Sequence, residues 1–434
     1  MTEIKIGLIG AGTVGSGVVK IMNKQSKFFQ ENLRLPVSLA RIADKDLEKL
    51  KTLPVGNAIC SGDASDVIND PEINIVIELI GGYTFAKEVV LNSLKKGKHV
   101  ITANKALIAK FGPELFATAQ EFGGSIHFEA AVGGGMPSIK TIREAMIGND
   151  IRSVYTIING TCNYILTEMT EKGAAFDPTL KEAQKLGFAE ANPALDIEGG
   201  DTGHKTAIIA SLIYDGYCDF DKVPVRGITE ISADDIISAK ELGYTIKLLG
   251  VIKRKDGENA VDVRVNPVMV HNDHILASVN GVFNAVLLEG DAVGPILLYG
   301  AGAGEMPTAS AVVSDIIDVA RNIKSGDTNR IPMHFYAQEN ELTIKGINEI
   351  ESRFYLRFAV EDKPGVLADI AEEFGTRNIS IASVMHKEAH DGNDFVPVII
   401  TTDMAIEADL RDAVKAIEAK AFAHGKTQII HIED

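Results

Sequence analysis

The stretch Ile4-Lys5-Ile6-Gly7-Leu8-Ile9-Gly10-Ala11-Gly12-Thr13-Val14-Gly15 decides how the N-terminal third of this 434-residue chain is read. The apolar run from Ile4 to Ile9 has the length of a buried strand. After it, Val14, Val18, Ile21 and Met22 recur at helical spacing. Between the two stands G-x-G-x-x-G. Gly10 permits the tight turn out of the strand, Gly12 lets backbone approach a pyrophosphate, and Gly15 lets the helix pack close to the strand. The helix then turns its free N–H groups toward an anion. Strand, fingerprint and helix together predict a dinucleotide site lined by Gly10, Gly12, Thr13, Val14 and Gly15. The alternative is a glycine-rich turn with no ligand.

The pattern continues downstream. A second apolar run, Val37 to Ala43, ends at Asp44-Lys45. An acid there would hold the ribose 2′-hydroxyl of NAD, whereas Lys45 would meet the 2′-phosphate of NADP or stand as a solvated loop charge. Preference between NAD and NADP therefore stays open. Asp44 lies beyond the usual spacing of roughly 20 residues because Gln25 to Pro36 lengthens the crossover. Further strands are expected at 75–80, 99–102 and 125–129, with helical stretches near 84–96 and 112–123. This alternation predicts an α/β fold with a Rossmann-type, doubly wound parallel sheet. Ligands of such sheets sit outside the carboxyl ends of the strands, where Gly81-Gly82, Thr102 to Lys105 and Ala131 to Gly135 fall. Lys105 at that edge would set an ammonium beside a nicotinamide, the competing reading being a surface lysine at a helix start.

Composition narrows the function classes. Lys and Arg number 43 against 60 Asp and Glu, a net charge of −17, which argues against a general nucleic-acid footprint. Three cysteines (Cys60, Cys162 and Cys218) are too few for a disulfide framework or a Cys-rich zinc module. No run approaches the roughly 18 apolar residues of a membrane span. The start has no basic segment followed by an apolar one, so a cytoplasmic protein without nucleic-acid or membrane partners is expected. The acidity is uneven: residues 1–150 carry net +1, residues 151–350 net −11 and residues 351–434 net −7.

The middle of the chain carries the chemistry. From Ala183 to Lys205, loop signals at Gly187, Asn192-Pro193 and Gly199-Gly200 surround four carboxylates, Glu190, Asp196, Glu198 and Asp201. An apolar helix is expected from about Thr202 to Tyr214, with Asp201 as its natural N-cap and Lys205 four residues on, on the same face. Glu198 is read as a surface charge. This stretch resembles the homoserine dehydrogenase motif A-x3-G-F-[AST]-x2-N-P-x2-D-[ILV]-x-G-x-D-x3-K, with every fixed position filled. Family-like segments also occur in order at ELIGG (78–82), TANKALIA (102–109), EAAVGGGMP (129–137), NGTCNYIL (159–166) and GAGAGEMPTASAVVSDI (300–316), so the resemblance spans the chain.

The resemblance implies reversible NAD(P)-dependent interconversion of L-homoserine and L-aspartate 4-semialdehyde. It implies Lys205 as proton donor to the developing alkoxide and Lys105 as the lysine at the junction of cofactor and substrate; a positioned ammonium suits both tasks. Glu190 and Asp201 match substrate-binding acids. Asp196 would orient Lys205 or the substrate, and Thr161 and Gly187 would line the substrate side of the cleft. Gly81, Thr102, Gly187, Glu190 and Gly304 would join the fingerprint, Asp44, Lys45 and Lys105 around the cofactor. The family also places a sodium-like monovalent cation on main-chain carbonyls, here those of Glu129, Val132, Gly134 and Met136. Cys162 would suit an acyl-enzyme semialdehyde dehydrogenase, but the family motif leaves its position open, and it is read as a packed thiol. A third reading, an amino-acid sensor with a dead dehydrogenase body, predicts lost catalytic residues, yet Lys105, Glu190, Asp201 and Lys205 are all present. His386 to His390 has the spacing of two metal ligands with the wrong interior order and reads as strand and loop.

After a connector at 326–352, marked by Asn329, Arg330 and Pro332, a separate pattern begins. A strand at 354–360 leads through Asp362-Lys363-Pro364-Gly365 to a helix at 367–374. Strands at 380–387 and 394–402, a helix at 406–420 and a strand at 427–432 complete a ferredoxin-like βαββαβ order. It resembles an ACT domain, which implies an amino-acid effector, here L-threonine, at Gly365, Asn378 and Ile379; the alternative is a module that only assembles oligomers. The expected organisation is a dinucleotide-binding domain at 1–133 with a return segment near 300–325, an α+β substrate and dimerisation domain at 134–325, the linker, and a regulatory domain at 353–434. A homodimer or higher homo-oligomer is expected.

Overall fold

Six parallel strands stand in the order β3-β2-β1-β4-β5-β6: β1 (Ile4–Ile9), β2 (Val37–Ala43), β3 (Ile59–Ser61), β4 (Ile73–Glu78), β5 (His99–Thr102) and β6 (Ile126–His127). The order reverses between β1 and β4, the switch point at which such sheets hold ligands. Ile9 is level with Ala43 on one side and Glu78 on the other, so the chain leaves all three strands at one edge. The computed structural model describes residues 3–255, 257–327, 340–386 and 395–433. The chain divides into one unit of Met1–Ile158, His204–Lys222 and Phe283–Thr343, and a second of Asn159–Gly203, Val223–Val282 and Ile344–Asp434. The connector residues Asn329, Arg330 and Pro332, and Lys387 to His390, lie outside the described residues.

In the first unit, helices α1 (Thr13–Glu31), α2 (Leu47–Lys51), α3 (Ser65–Ile68), α4 (Thr84–Leu94) and α5 (Lys105–Glu121) connect the strands, and the short α6 (Ser138–Lys140) follows β6. Alternate apolar residues of β1 and one face of α1 (Ile6, Leu8, Val18 and Val19) form the core. Ala309, Val312 and Ile316 of the returning α12 (Glu305–Ser325) share it. The helices meet closely at Gly17, where a side-chain carbon would lie 2.8 Å from the Ala309 methyl. Three antiparallel strands, β7 (Ile151–Ile157), β10 (Phe283–Gly290) and β11 (Gly294–Ala301), complete the unit.

Helix α5 starts at Lys105, well before the expected 112. Asn104 caps it, its Oδ1 accepting from the Leu107 N–H at 3.1 Å. Gly112 and Pro113 lie inside the helix. Pro113 has no N–H to give the Ala109 carbonyl; the Tyr217 hydroxyl donates to that carbonyl instead, at 3.3 Å.

The second unit holds α7 (Gly160–Lys172), α8 (Phe176–Lys185), α9 (Ala194–Ile197), the start of α10 (Gly200–Ile213) and α11 (Ala233–Glu241). Its strands β8 (Tyr244–Lys253) and β9 (Ala260–His271) are antiparallel. The C-terminal module has the expected βαββαβ order: β13 (Glu351–Glu361), α13 (Val366–Gly375), β14 (Ile381–His386), β15 (Phe395–Thr402), α14 (Glu407–Glu418) and β17 (Ala423–Glu433), with two-residue strands β12 (Thr343–Ile344) and β16 (Ala405–Ile406) beside it. Phe354, Leu356, Phe358 and Val360 of β13 face α13 and α14. Tyr355, with Ile399, Ile430 and Ile432, points the other way, into a core with Cys162, Ile165 and Met269.

The module's last strand runs parallel to β9, with His431 opposite Val268 and Glu433 opposite Val270. One sheet therefore reads β8-β9-β17-β13-β15-β14. An ion cluster pins the join. Arg264, 1% exposed, donates to Asp262 and to Glu433 (2.6 Å), and Lys253 donates to the other Glu433 oxygen (2.6 Å). Burial alone would push the Glu433 carboxyl up, but Lys253 and Arg264 outweigh it and hold it below the ordinary carboxylate range. Glu433→Gln should cost about 3 kcal/mol of unfolding free energy at pH 7, the scale of breaking a buried pair. A carboxyl held low contributes stability above its unfolded pKa and loses it on acidification. Chemical denaturation should therefore show the gap between wild type and variant closing as pH falls below about 4.5; a constant gap would remove the charge from the explanation.

Candidate active site

The three fingerprint glycines are needed for different reasons. Gly10 has φ +96°, and a side-chain carbon there would lie 2.6 Å from the Leu79 carbonyl oxygen. At Gly15 the same carbon would come 2.1 Å from the Gly10 oxygen. At Gly12 it would meet nothing within 4 Å. Thr13 and Val14 follow as the first residues of α1. Asp44, at the end of β2, accepts from the Ala11 N–H (2.5 Å) and the Asp46 N–H (2.8 Å), which ties it to the glycine turn. Lys45 beside it is exposed.

The β4 and β5 ends are organised by Glu78, a residue to which the sequence pattern assigns no role. Its fully buried carboxylate accepts from the Thr102 hydroxyl (2.7 Å) and the Ile80 N–H (2.8 Å). Burial pushes this carboxyl up, against the pull of those hydrogen bonds. A single acid inside the run Ile75-Val76-Ile77-Glu78-Leu79-Ile80 was the available signal. Gly81 and Gly82 follow with positive φ, and the Asn104 amide donates to the Gly82 carbonyl. Lys105, half-buried, is the first residue of α5. In the same unit Lys205 is 9% exposed, and its Nζ donates to the Ile158 carbonyl at 2.7 Å.

Glu129 begins the loop read as a cation site. Its buried carboxylate accepts from the Ile139 and Lys140 N–H groups, both at 2.9 Å, and its own N–H donates to Asp315 (2.9 Å). Burial, aided by Asp315, pushes the Glu129 carboxyl up to about 8, and burial pushes Asp315 up to about 6. Ser138 donates its hydroxyl to the Val132 carbonyl and its N–H to the Met136 carbonyl, both at 2.8 Å. At Gly134 a side-chain carbon would lie 2.4 Å from the Gly302 oxygen, and Gly304 opens α12 with φ +117°.

The acids stand in the second unit. Asn159 precedes α7 and caps it, its Oδ1 accepting from the Cys162 N–H at 2.8 Å. Its amide nitrogen donates to Asp196 Oδ1 (2.7 Å) and to Asp201 Oδ2 (2.8 Å). Asp201 is therefore not the N-cap expected for it. The helix begins at Gly200, with the Gly203 N–H bonded to the Gly199 carbonyl, so Asp201 lies inside the first turn, 4% exposed. The Thr161 hydroxyl donates to the Phe188 carbonyl (2.6 Å) and lies 3.3 Å from Asp196. Gly187 turns the chain with φ +79°, and Glu190 and Glu198 are exposed. The Cys162 thiol is buried and donates to the Asp196 carbonyl, the packed thiol of the sequence reading. In NGTCNY the cysteine is the conspicuous side chain; the signal for Asn159 is an Asn just before a helix, a cap whose NH2 remains to be placed.

In the C-terminal module Gly365 (φ +96°) is the N-cap of α13. Asn378 (φ +55°) and the buried Ile379 close the far end of that helix, their N–H groups on Gly375 and Phe374 carbonyls. His386 lies 3.9 Å from Asp362. Among the described residues no cluster of three His, Cys, Asp or Glu is set to hold a metal, and no helix is long and apolar enough to cross a membrane.

Residues 10–129 match the family described as homoserine dehydrogenase, NAD binding domain; residues 137–317 match homoserine dehydrogenase; residues 354–422 match the ACT domain. A homoserine dehydrogenase of Pseudomonas aeruginosa is 44% identical over 436 residues, covering 100% of this chain and 99% of the relative. One of Bacillus subtilis is 39% identical, covering 96% and 95%. The crystal structure of a homoserine dehydrogenase from Thiobacillus denitrificans superposes with a TM-score of 0.94 at 41% identity, covering 100% and 99%. A hyperthermophilic archaeal homoserine dehydrogenase in complex with NADPH gives 0.61 at 25% identity, covering 74% of this chain and 98% of its own.

The glycine geometry separates binding from folding. Gly12→Ala should melt like wild type yet bind NADPH or NADH at least tenfold more weakly by fluorescence titration. Gly15→Ala should instead lower the melting temperature by several degrees. Equal affinity in Gly12→Ala and wild type would detach Gly12 from the cofactor.

Proposed function

The chain belongs to the homoserine dehydrogenase family, and we propose how its own residues carry the reversible interconversion of L-homoserine and L-aspartate 4-semialdehyde. When bound, the nicotinamide takes the hydride from the alcohol carbon or returns it to the aldehyde. The chain must then manage one proton and one charged amino acid. Lys205 gives the proton to the developing alkoxide in reduction and takes it from the hydroxyl in oxidation. Its burial and its bond to the Ile158 carbonyl support this, because they fix where the Nζ stands. Lys105, beside the Gly81-Gly82 turn through Asn104, stabilises the alkoxide. Asp196, Asp201 and Glu190 take the α-ammonium of the substrate, with Thr161 and Gly187 alongside. The observation that carries the reading is α10 itself: a buried acid and a buried lysine stand four residues apart on one helix. Lys205→Ala should reduce turnover by a factor on the order of 10² to 10⁴ with cofactor affinity intact. Turnover near wild type would remove Lys205 from the chemistry.

Gly10, Gly12, Thr13, Val14, Gly15, Gly81, Thr102, Gly187, Glu190 and Gly304 contact the cofactor in this reading. Asp44 takes the ribose of NAD, or Lys45 the 2′-phosphate of NADP; steady-state assays with each cofactor decide between them. A sodium-like cation would be held by the main-chain carbonyls of Glu129, Val132, Gly134 and Met136. The Glu129 carboxylate is oriented toward the Ile139 and Lys140 N–H groups, and a main-chain carbonyl that already accepts one hydrogen bond keeps a second lone pair for a cation. The homodimer reading rests on β11, an edge strand beside the stacked, exposed Phe283 and Tyr299 (5.1 Å).

L-Threonine is the proposed effector, with Gly365, Asn378 and Ile379 as its proposed contacts; they stand at opposite ends of α13, so one ligand would meet both ends only between two copies of the module. Support comes from the joined sheet. Arg226 donates to the Ile429 carbonyl (2.6 Å) and to Gln428 of β17, while the next two residues press on the acid loop. A carbon on Gly227 would lie 1.9 Å from the Ile197 oxygen, to which the Ile228 N–H donates at 2.8 Å. Millimolar threonine should inhibit homoserine oxidation by the full-length protein, and Asn378→Ala should relieve it without changing basal turnover. Insensitivity of the wild type would leave the module an assembly device.

A further inference from the structure

Asp196 and Asp201 present a problem of electrostatics. Two carboxylates at one partly dry site repel, and each raises the other's tendency to take a proton. An arginine or lysine between them would hold them together but would cancel the charge that a substrate ammonium needs. The structure places a neutral group there. Asn159, 6% exposed, gives one amide hydrogen to each acid, at 2.7 and 2.8 Å. The nitrogen's two hydrogens point in fixed directions in one plane, so the fork sets the spacing of the two acceptor oxygens.

The amide cannot turn over. Its oxygen accepts from the Cys162 N–H at 2.8 Å, as the cap of α7, and a flipped amide would aim NH2 at an N–H and oxygen at two carboxylates. The Thr161 hydroxyl is no substitute, since its single hydrogen goes to the nearer Phe188 carbonyl at 2.6 Å. We propose that Asn159 is a positioning residue for substrate: it fixes Asp196 and Asp201 as an anionic pair for the α-ammonium and leaves their charge intact. This rests on the reading of those acids as ammonium ligands.

Capping and donation can be separated by mutation. Asn159→Ser keeps a good cap but loses both amide hydrogens. Asn159→Asp keeps the cap and the shape and adds a third carboxylate facing Asp196 and Asp201. Asp201→Asn tests the underlying reading. We expect Asn159→Ser to raise KM for homoserine tenfold or more, with kcat within threefold and with cofactor affinity and melting temperature near wild type. In Asn159→Asp the KM should be higher still and should fall back as pH is lowered, when the added carboxyl takes a proton and becomes a donor. A merely structural cap would give no such pH-dependent KM. If Asp201→Asn raises KM while Asn159→Ser stays within twofold and Asn159→Asp shows no pH dependence, the positioning role is overturned and the acid reading stands. If Asp201→Asn leaves KM unchanged, both fall. Should the serine variant fail to fold, the near-isosteric aspartate carries the test alone.

Discussion

The parallel pairing of β17 with β9 is the constraint on which the second unit depends. It occupies three opposed residue pairs at the very end of the chain. Without it, the Val268–Val270 stretch of β9 would lack a partner on that side, and the face of the C-terminal module that carries Tyr355, Ile399, Ile430 and Ile432 would be bare apolar surface. The cluster of the buried Arg264 with Asp262, Glu433 and Lys253 then matters more for register than for raw stability, because a slipped strand would leave the buried Arg264 without its Glu433 partner. Arg226 adds a side-chain tie to the same strand and stands next to Gly227, which leaves no room for a side chain over Ile197. The acid loop and the last strand thus rest on adjacent residues of one segment.

The local part of this architecture was legible. Strands ending in glycine and an alternating C-terminal pattern identify elements through period and punctuation, which need no knowledge of neighbours. The failures share a cause. The helix at 105–121 reads as starting near 112, and no local pattern reports that Tyr217, more than a hundred residues away, satisfies the Ala109 carbonyl left by Pro113. Asp201 reads as a cap unless the Gly199 carbonyl is known to start the helix and Asn159 to hold the carboxylate. The β9–β17 pairing joins residues more than 160 apart, and no local period reports it. Glu78 and Asn159 fall between these cases. Glu78 breaks a local rule, an acid in a buried run, and such breaks are where function is expected to show; Asn159 obeys one, the N-cap preference, and its amide hydrogens are left over from it.

Charge is distributed in the same spirit. The segment that holds the anionic cofactor is near neutral, and the acid excess lies in the two later segments. A nucleotide phosphate therefore meets α1 without an acidic residue in its first turn, whereas an amino-acid substrate meets a surplus of carboxylates.

The fingerprint shows how closely fold and ligand are written over each other. Gly10 and Gly15 are forced by protein alone, since a methyl at either would strike backbone oxygen. Such positions would remain glycine even if no nucleotide were ever bound. Gly12 faces open space, so the protein gives no internal reason for the absence of a side chain there. In the proposed reading the reason lies outside the chain, in a cofactor that approaches the backbone more closely than a methyl allows. The Asp44 carboxylate on the neighbouring Ala11 N–H holds that open turn in shape. On that reading a motif of three glycines contains two statements about folding, which the packing around Gly10 and Gly15 supplies, and one about binding, left to Gly12.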